Sequence, residues 1–512
     1  MEKIGIIDLG SNSSRLVIVE IMEDSHFTVI DEMKESVRLG QDMEKDGFLK
    51  PARIAETIKT IKMFRKVCDS YGIEHIIAFA TAAVRRAKNQ RSFLDEVSAT
   101  CGIRLRVLSA EEEATYVYQG VINSMDIPKG VILEIGGGST KIVTYNRRMV
   151  IAHETLPFGA VTLTDMFQEE GLKPEEQADK IEAFFTEQLS KIEWLKELDP
   201  EVQFIGVGGS FRNVCRIAQM VKKYPLSSVH NYRLDLAEFD NVYKMVRVLD
   251  LDKKKKIKGI SSARADILPA AMAEIKAFFN FINKGKAEEE QKNDVVISAS
   301  GLREGILFNY TMPITIERPI SDVLNYSLRT MESVYDMDAK HVEHVVMLAI
   351  QLFKQLRVLH KFPRQYLKVL KIAAFMHDSG KRVRYYNYHK HSMYFTINAN
   401  LYGVTHRELV LAGLVVGASK DGEINQTDLM KYRMFITEED LDMLKKLGVM
   451  LKIAECMDRA SSGVIAGINC DVLGDSVILK TELTGDASLE IHAAMGAELE
   501  FRKAFHKNLE IL

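Results

Sequence analysis

The stretch IIDLGSNSSRLVIV, residues 6–19, reads as strand, turn, strand, and a second version of it stands at residues 132–145 as ILEIGGGSTKIVTY. In each copy apolar, β-branched residues flank a turn rich in Gly, Ser or Asn, the composition of two strands joined tightly. Asp8 falls on Glu134, Ser13 on Ser139 and Ser14 on Thr140, all at the same spacing. A duplicated lobe is the simple physical explanation: two similar halves, each presenting one phosphate-sized loop with a carboxylate just before it.

Outward from these hairpins, strands and helices alternate. A helix is expected over 51–70, opening at Pro51, a favoured first helical position. IIAFAT (76–81) and RLRVLS (104–109) read as strands, with a helix from Glu111. The pattern continues with a helix at 175–196, a strand and glycine turn in QFIGVGGS (203–210), a helix at 211–222 and a strand at 294–300 before GLREGILFNY. Such alternation argues an α/β architecture to about residue 310. After Pro319 the character changes: apolar residues at 342, 345, 346, 349, 352, 353 and 356 make a helical stripe. That region reads as all-α, and the last stretch returns to strands with a short helix. The expected domains are lobe I at 1–124, lobe II at 125–310, a helical domain at 311–465 and a small α+β domain at 466–512.

At 512 residues the chain exceeds what one hydrophobic core spans. A hydrophobic fraction of 46% and a charged fraction of 27% are those of ordinary soluble protein. A net charge of −3 gives no strong overall field towards nucleic acid or membrane, so an anionic substrate must be held by a local site. The five cysteines are scattered without metal-ligand spacing, as expected of reduced thiols in a cytoplasm. The first residues lack the pattern of a signal peptide, and the run Leu409–Ala418 is too short to span a bilayer. The expectation is a cytoplasmic protein with no nucleic-acid partner and no membrane span.

Phosphate binding needs converging backbone N–H groups, and a glycine-rich turn at a strand end supplies them. Three such turns are present: Gly10–Ser13 (Gly10, Ser11, Asn12, Ser13), Gly136–Thr140 (with Gly137, Gly138, Ser139) and Gly208–Ser210 (with Gly209). TAAVRRAKN (81–89) carries Arg85, Arg86 and Lys88, either phosphate ligands or an ordinary basic surface. In LSAEEEATYV (108–117), Ser109 and Glu112 have capping-box spacing. Glu111 and Glu113 either complement the helix dipole or carry chemistry. The helical region holds His341, His344, His377, Asp378 and Asp458, and the set His344, His377, Asp378 and Asp458 has the His…His-Asp…Asp order of HD-type metallohydrolases. Imidazole and carboxylate ligands suit several divalent ions; the same residues also suit a polar cleft that binds no metal.

Together these motifs are highly specific. DLGSNSSRL (8–16), TAAVRRAKN, SAEEEA (109–114), EIGGGST (134–140), GVGGS (206–210) and GLREGIL (301–307) occur in the order found in the exopolyphosphatase and guanosine pentaphosphate phosphohydrolase (Ppx/GppA) family, which this sequence resembles over its whole length. KIAAFMHDSGK with YHKHS (388–392) resembles that family's HD-like helical domain. The resemblance implies an actin-like (ribonuclease H-like) α/β pair of lobes, then the HD-like domain and a small α+β domain. It implies processive release of phosphate from inorganic polyphosphate, or conversion of pppGpp to ppGpp, with Mg2+ or another divalent cation and a homodimeric assembly. By motif position it implies Glu113 as catalytic base, Arg85 and the three turns as phosphate ligands, and Asp8 and Glu134 as metal ligands. His389, Lys390 and His391 are candidates for a polymer path.

Departures accompany the resemblance. Glu134 stands where the family usually has Asp, and Lys141 where it usually has Glu. The second change replaces a metal-seeking carboxylate with an ammonium, a possible built-in cation beside the phosphates. It also keeps open a different class of function, a weakly active sensor that binds polyphosphate or an alarmone. In the helical domain the family's basic His-Arg pair is replaced near Gly417–Ser419, which weakens the case for a separate metal site there.

Overall fold

The computed structural model describes residues 2–23, 25–312, 319–420 and 422–512. The chain divides into two compact units, Met1–Val323 and Leu324–Leu512.

The first unit holds two sheets. One contains β1 (Glu2–Leu9), β2 (Ser14–Ile21), β3 (Phe27–Glu35), β4 (Ile76–Ala80) and β5 (Arg106–Val107) in the order β3-β2-β1-β4-β5. The other contains β6 (Lys129–Ile135), β7 (Thr140–Asn146), β8 (Met149–Leu156), β9 (Gln203–Val207), β10 (Arg233–Asp235) and β11 (Asp294–Ser298) in the order β10-β11-β9-β6-β7-β8. In both, a three-stranded antiparallel meander is followed by a parallel neighbour on the first strand: β1 pairs β2 antiparallel and β4 parallel, and β6 pairs β7 antiparallel and β9 parallel. The sequence repeat is therefore a structural one, and it extends to the cross-strand pairs. Asp8 stands opposite Arg15, and Glu134 opposite Lys141.

Two helices cross between the sheets. α1 (Ala110–Ile122) follows β5, yet Val117 and Val121 pack with Ile132, Val143, Ile205 and Val207 of the second sheet. α2 (Leu302–Thr311) follows β11, yet Ile306 and Leu307 pack with Ile4, Ile6, Val17 and Val19 of the first. The halves thus exchange one helix each. The two helices touch backbone to backbone: a Cβ on Gly120 would overlap the Gly301 carbonyl, and one on Gly305 the Tyr116 carbonyl. Only glycine permits that approach. The capping box anticipated at the start of α1 is present, with the Glu112 N–H donating to Ser109 Oγ at 3.0 Å and the Ser109 N–H to Glu112 Oε2 at 2.8 Å. This is the actin-like two-lobed α/β fold.

The second unit is helical up to Cys456, then closes with a three-stranded sheet of β12 (Ile465–Leu473), β13 (Ser476–Leu483) and β14 (Asn508–Ile511) in that order, with two short helices between the last two strands. Its core includes the predicted stripe of Val342, Val345, Ala349, Leu352, Phe353 and Leu356, all buried, together with Leu348, whereas Val346 is only half-buried. No helix among the described residues is long and apolar enough to cross a membrane.

Candidate active site

The β1–β2 and β6–β7 turns close in the same way. The Gly10 N–H donates to the Ser13 carbonyl at 3.1 Å, and the Gly136 N–H to the Ser139 carbonyl at 3.0 Å. The two turns face each other: a Cβ on Gly138 would lie 2.6 Å from Ser11 Oγ, and one on Gly137 3.1 Å from Ser11 Cβ. Both line one cavity with the Gly208–Gly209 turn, Asp8, Glu113, Glu134 and Lys141. Thr140 and Ser210, expected among the phosphate ligands, are not on its wall. The Thr140 side chain follows the strand alternation away from the cavity, and its hydroxyl donates to the buried Glu274 at 2.7 Å. Ser210 is buried within the first turn of the helix Gly209–Lys222.

Glu113 is fully buried on the first turn of α1. One of its oxygens, Oε1, is held by the Arg85 guanidinium, which also donates to the Leu108 carbonyl at 2.8 Å. The other, Oε2, lies 2.6 Å from the Lys141 ammonium. Arg85, expected to bind phosphate, instead stands behind the carboxylate and fixes it, and does not line the cavity. Lys141 is buried and also lies 3.0 Å from Glu134 Oε2. Burial works to lower its pKa, but Glu113 and Glu134 outweigh burial and hold it above the ordinary lysine value. Glu134, expected as a metal ligand, thus serves as counter-ion to an internal cation.

The largest contribution missed in the sequence is a crowd of guanidiniums. Arg15, Arg212, Arg264 and Arg303 all line the same cavity. Burial, then Arg15 and Arg303, push Arg212 down to about 9. Burial and then Arg15 push Arg264 down to about 10. Lys34, exposed as a residue and paired with Arg15 across β2 and β3, is pushed down to about 7 by partial loss of water around its amine, then by Arg264, Arg15 and Arg212. Guanidiniums remain charged in proteins, so these directions record burial first and mutual repulsion second; Arg303, beside Glu304, Asp8 and Glu32, is instead held above the ordinary arginine value. Asp8 is the exception on the acidic side, raised by its own burial despite Arg303, whose Nε is 3.9 Å away. The signal was present locally, since Arg15 follows GSNSS, Arg212 follows GVGGSF and Arg303 sits in GLREG. Arg264 had none.

Residues 17–312 match the model of the Ppx/GppA phosphatase family, and residues 323–502 match that of the Ppx/GppA phosphatase domain III. The chain belongs to the Ppx/GppA phosphatase family. It is a phosphatase-family protein whose cavity gathers positive charge around paired glycine turns, as a phosphate-cleaving site requires. The chain is 24% identical over 81% of its length, and 80% of the relative's, to a guanosine-5'-triphosphate,3'-diphosphate pyrophosphatase of Vibrio vulnificus. It is 30% identical over 54% of its length to a bifunctional 3-dehydroquinate synthase/phosphatase of Fusobacterium nucleatum, of which it spans only 43%. Among solved structures, the exopolyphosphatase of Cytophaga hutchinsonii superposes with a TM-score of 0.56 at 24% identity, covering 60% of this chain and 98% of that one. The Ppx/GppA family member of Aquifex aeolicus superposes at 0.51 and 27% identity, covering 62% and 99%.

In the second unit, His341 rather than His344 joins His377 and Asp378. Ligand atoms of His341, His377 and Asp378 lie within 4.8 Å of one another. The His344 Nε2–H donates to the Ile465 carbonyl at 2.7 Å, and its Nδ1 lies 2.8 Å from Asp458. Asp458 sits behind the cluster, accepting from His341 Nδ1 at 2.7 Å. Of the polymer-path candidates, Lys390 is exposed, His391 half-buried and His389 buried on the helix Tyr388–Asn398. Burial withdraws His389 from any solvent-lined path.

Proposed function

We propose that this protein is an exopolyphosphatase that hydrolyses the terminal phosphoanhydride of inorganic polyphosphate. The observation that carries this reading is the crowd of Arg15, Arg212, Arg264 and Arg303 around two facing glycine turns, with the buried Glu113 carboxylate on the same wall. A multiply charged anion relieves that repulsion, and a singly charged one relieves little of it. No aromatic side chain lines the cavity among the described residues, so a guanine base has no stacking surface within it. That favours an inorganic chain over pppGpp, the alternative raised by the Vibrio vulnificus relative's name.

The residues fit a resident magnesium ion poorly. Lys141 fills the space between Glu113 and Glu134, and Arg85 takes the remaining oxygen of Glu113. Of the remaining cavity carboxylates, Asp8 has Arg303 beside it, and Glu304 accepts from the Gly301 N–H at 2.8 Å and lies 3.8 Å from the same guanidinium. The ammonium of Lys141 takes the place of a divalent cation, and no step below needs one.

Backbone N–H groups of the two turns hold the terminal phosphoryl, and the guanidiniums neutralise its neighbours. Substrate charge draws Lys141 from Glu113 Oε2 towards phosphate. The freed oxygen accepts a proton from a water whose oxygen attacks phosphorus in line; the P–O anhydride bond breaks and the shortened chain leaves. Arg85 keeps the carboxylate aimed throughout.

The test is phosphate release from long polyphosphate, tripolyphosphate and pppGpp by wild type and Glu113→Gln. Polyphosphate is expected to be the best substrate, with a loss of about 10²–10⁴-fold in the variant. Preference for pppGpp would transfer the reading to the nucleotide. Tight polyphosphate binding without turnover of any substrate would make the protein a sensor, held inactive by the engagement of both Glu113 oxygens.

A further inference from the structure

We infer that the helical unit carries a separate binding site for a transition-metal dication, built from His341 Nε2, His377 Nε2 and the Asp378 carboxylate. His377 Nδ1 lies 2.7 Å from the Ala374 carbonyl. A carbonyl only accepts, so Nδ1 carries the hydrogen, and Nε2 of the neutral ring presents a lone pair. That lone pair faces Asp378 Oδ1 at 3.2 Å, acceptor against acceptor. His341 repeats the arrangement: its Nδ1 lies 2.7 Å from Asp458 Oδ2, and its Nε2 lies 3.5 Å from Asp378 Oδ2. His377 is 2% exposed, and neither its Nε2 nor Asp378 Oδ1 has a hydrogen-bond partner.

Two imidazole lone pairs and a carboxylate therefore converge on one buried point. The two rings lie with centroids 5.4 Å apart, and the Lys381 ammonium is 2.5 Å from the same carboxylate. A single dication satisfies all three ligands at once. The surroundings are those of a metal site: each ligating ring is oriented through its far nitrogen, one by a carboxylate and one by a backbone carbonyl. Asp458 is itself fixed by the Gly463 N–H at 2.9 Å. Two nitrogens and one carboxylate select a borderline ion such as zinc over magnesium. His341 and Asp378 also line an open pocket with Lys381, Glu455 and Arg459, so the ion would keep coordination positions facing that pocket. Lys381 is a third exposed and can swing away to admit it.

The experiment is calorimetric titration of the tag-free full chain with zinc, and with cobalt read by its visible absorption. One ion per chain is expected. His377→Gln should abolish binding, Asp458→Asn should weaken it about 10–100-fold through the loss of ring orientation, and Glu113→Gln, in the other unit, should leave it unchanged. X-ray absorption at the zinc edge of the wild type should show two imidazole ligands, a readout independent of whether the variants fold. Absence of stoichiometric binding, binding retained in His377→Gln, or a zinc spectrum without imidazole would overturn the site.

Discussion

Lys141 lies 2.6 Å from Glu113 Oε2 and occupies, in the second hairpin, the position that Arg15 holds in the first. Each lobe thus sets a cation across the strand pair from a carboxylate, and in the second lobe that cation reaches the acidic group on α1. The internal repeat supplies the positive charge as well as the phosphate turns.

This predicts an unusual metal response. Wild-type phosphate release should persist in a strong chelator, whereas Lys141→Glu, which restores three carboxylates and removes the ammonium, should lose at least about tenfold in chelator and recover with magnesium. A wild-type requirement for magnesium that is unchanged in Lys141→Glu would show that the ammonium does not replace the ion.

Arg85 acts through Glu113, so Arg85→Ala should lower kcat by about tenfold or more with little change in KM. Arg212→Ala, which removes a cavity cation, should chiefly raise KM. Steady-state kinetics on tripolyphosphate separate the two, and identical kcat and KM effects would place both arginines on the substrate.

Lys34 is depressed to about 7 by partial loss of water around its amine and by the guanidiniums around it. An anion in the cavity offsets those guanidiniums and raises it again, so binding near neutral pH should take up a proton. Calorimetry of tripolyphosphate binding in buffers of different ionisation enthalpy measures this. Lys34→Met should remove most of the uptake.

Glu274 is buried and held well above its ordinary value of 4.5 by that burial. Its folded pKa exceeds its unfolded one, so its contribution is fully present below about pH 4.5 and is lost as pH rises towards the folded value. In Glu274→Gln that loss is absent. The variant's stability relative to wild type should therefore climb by up to ~1.4 kcal/mol per pH unit above the unfolded value. Denaturant unfolding curves at several pH values check the slope; parallel curves would mean Glu274 is not held neutral.

Gly305 meets the Tyr116 carbonyl where α2 crosses α1. Gly305→Ala should cost about 3 kcal/mol by forcing the helices apart. Because α1 carries Glu113, activity should fall before the protein unfolds. A thermal melt paired with an activity assay reads both effects.

Much of this was legible in the chain itself because its causes are local. The Gly/Ser turns, the β-branched strands beside them and the Ser109–Glu112 capping box each follow from contacts within a few residues, and all form as their composition directs. The repeat could be read because duplication leaves residue types in register. What the sequence could not assign was the partner of each charged side chain. Arg85 turning behind Glu113, Thr140 reaching Glu274 and Arg264 joining the cavity depend on contacts 28, 134 and more residues apart in the chain. His341 and His344 are one helical turn apart with the same chemistry. Only packing decides that His341 faces His377 while His344 turns to the Ile465 carbonyl. Local sterics choose the elements; long-range burial, which decides which charges meet, chooses what the side chains do.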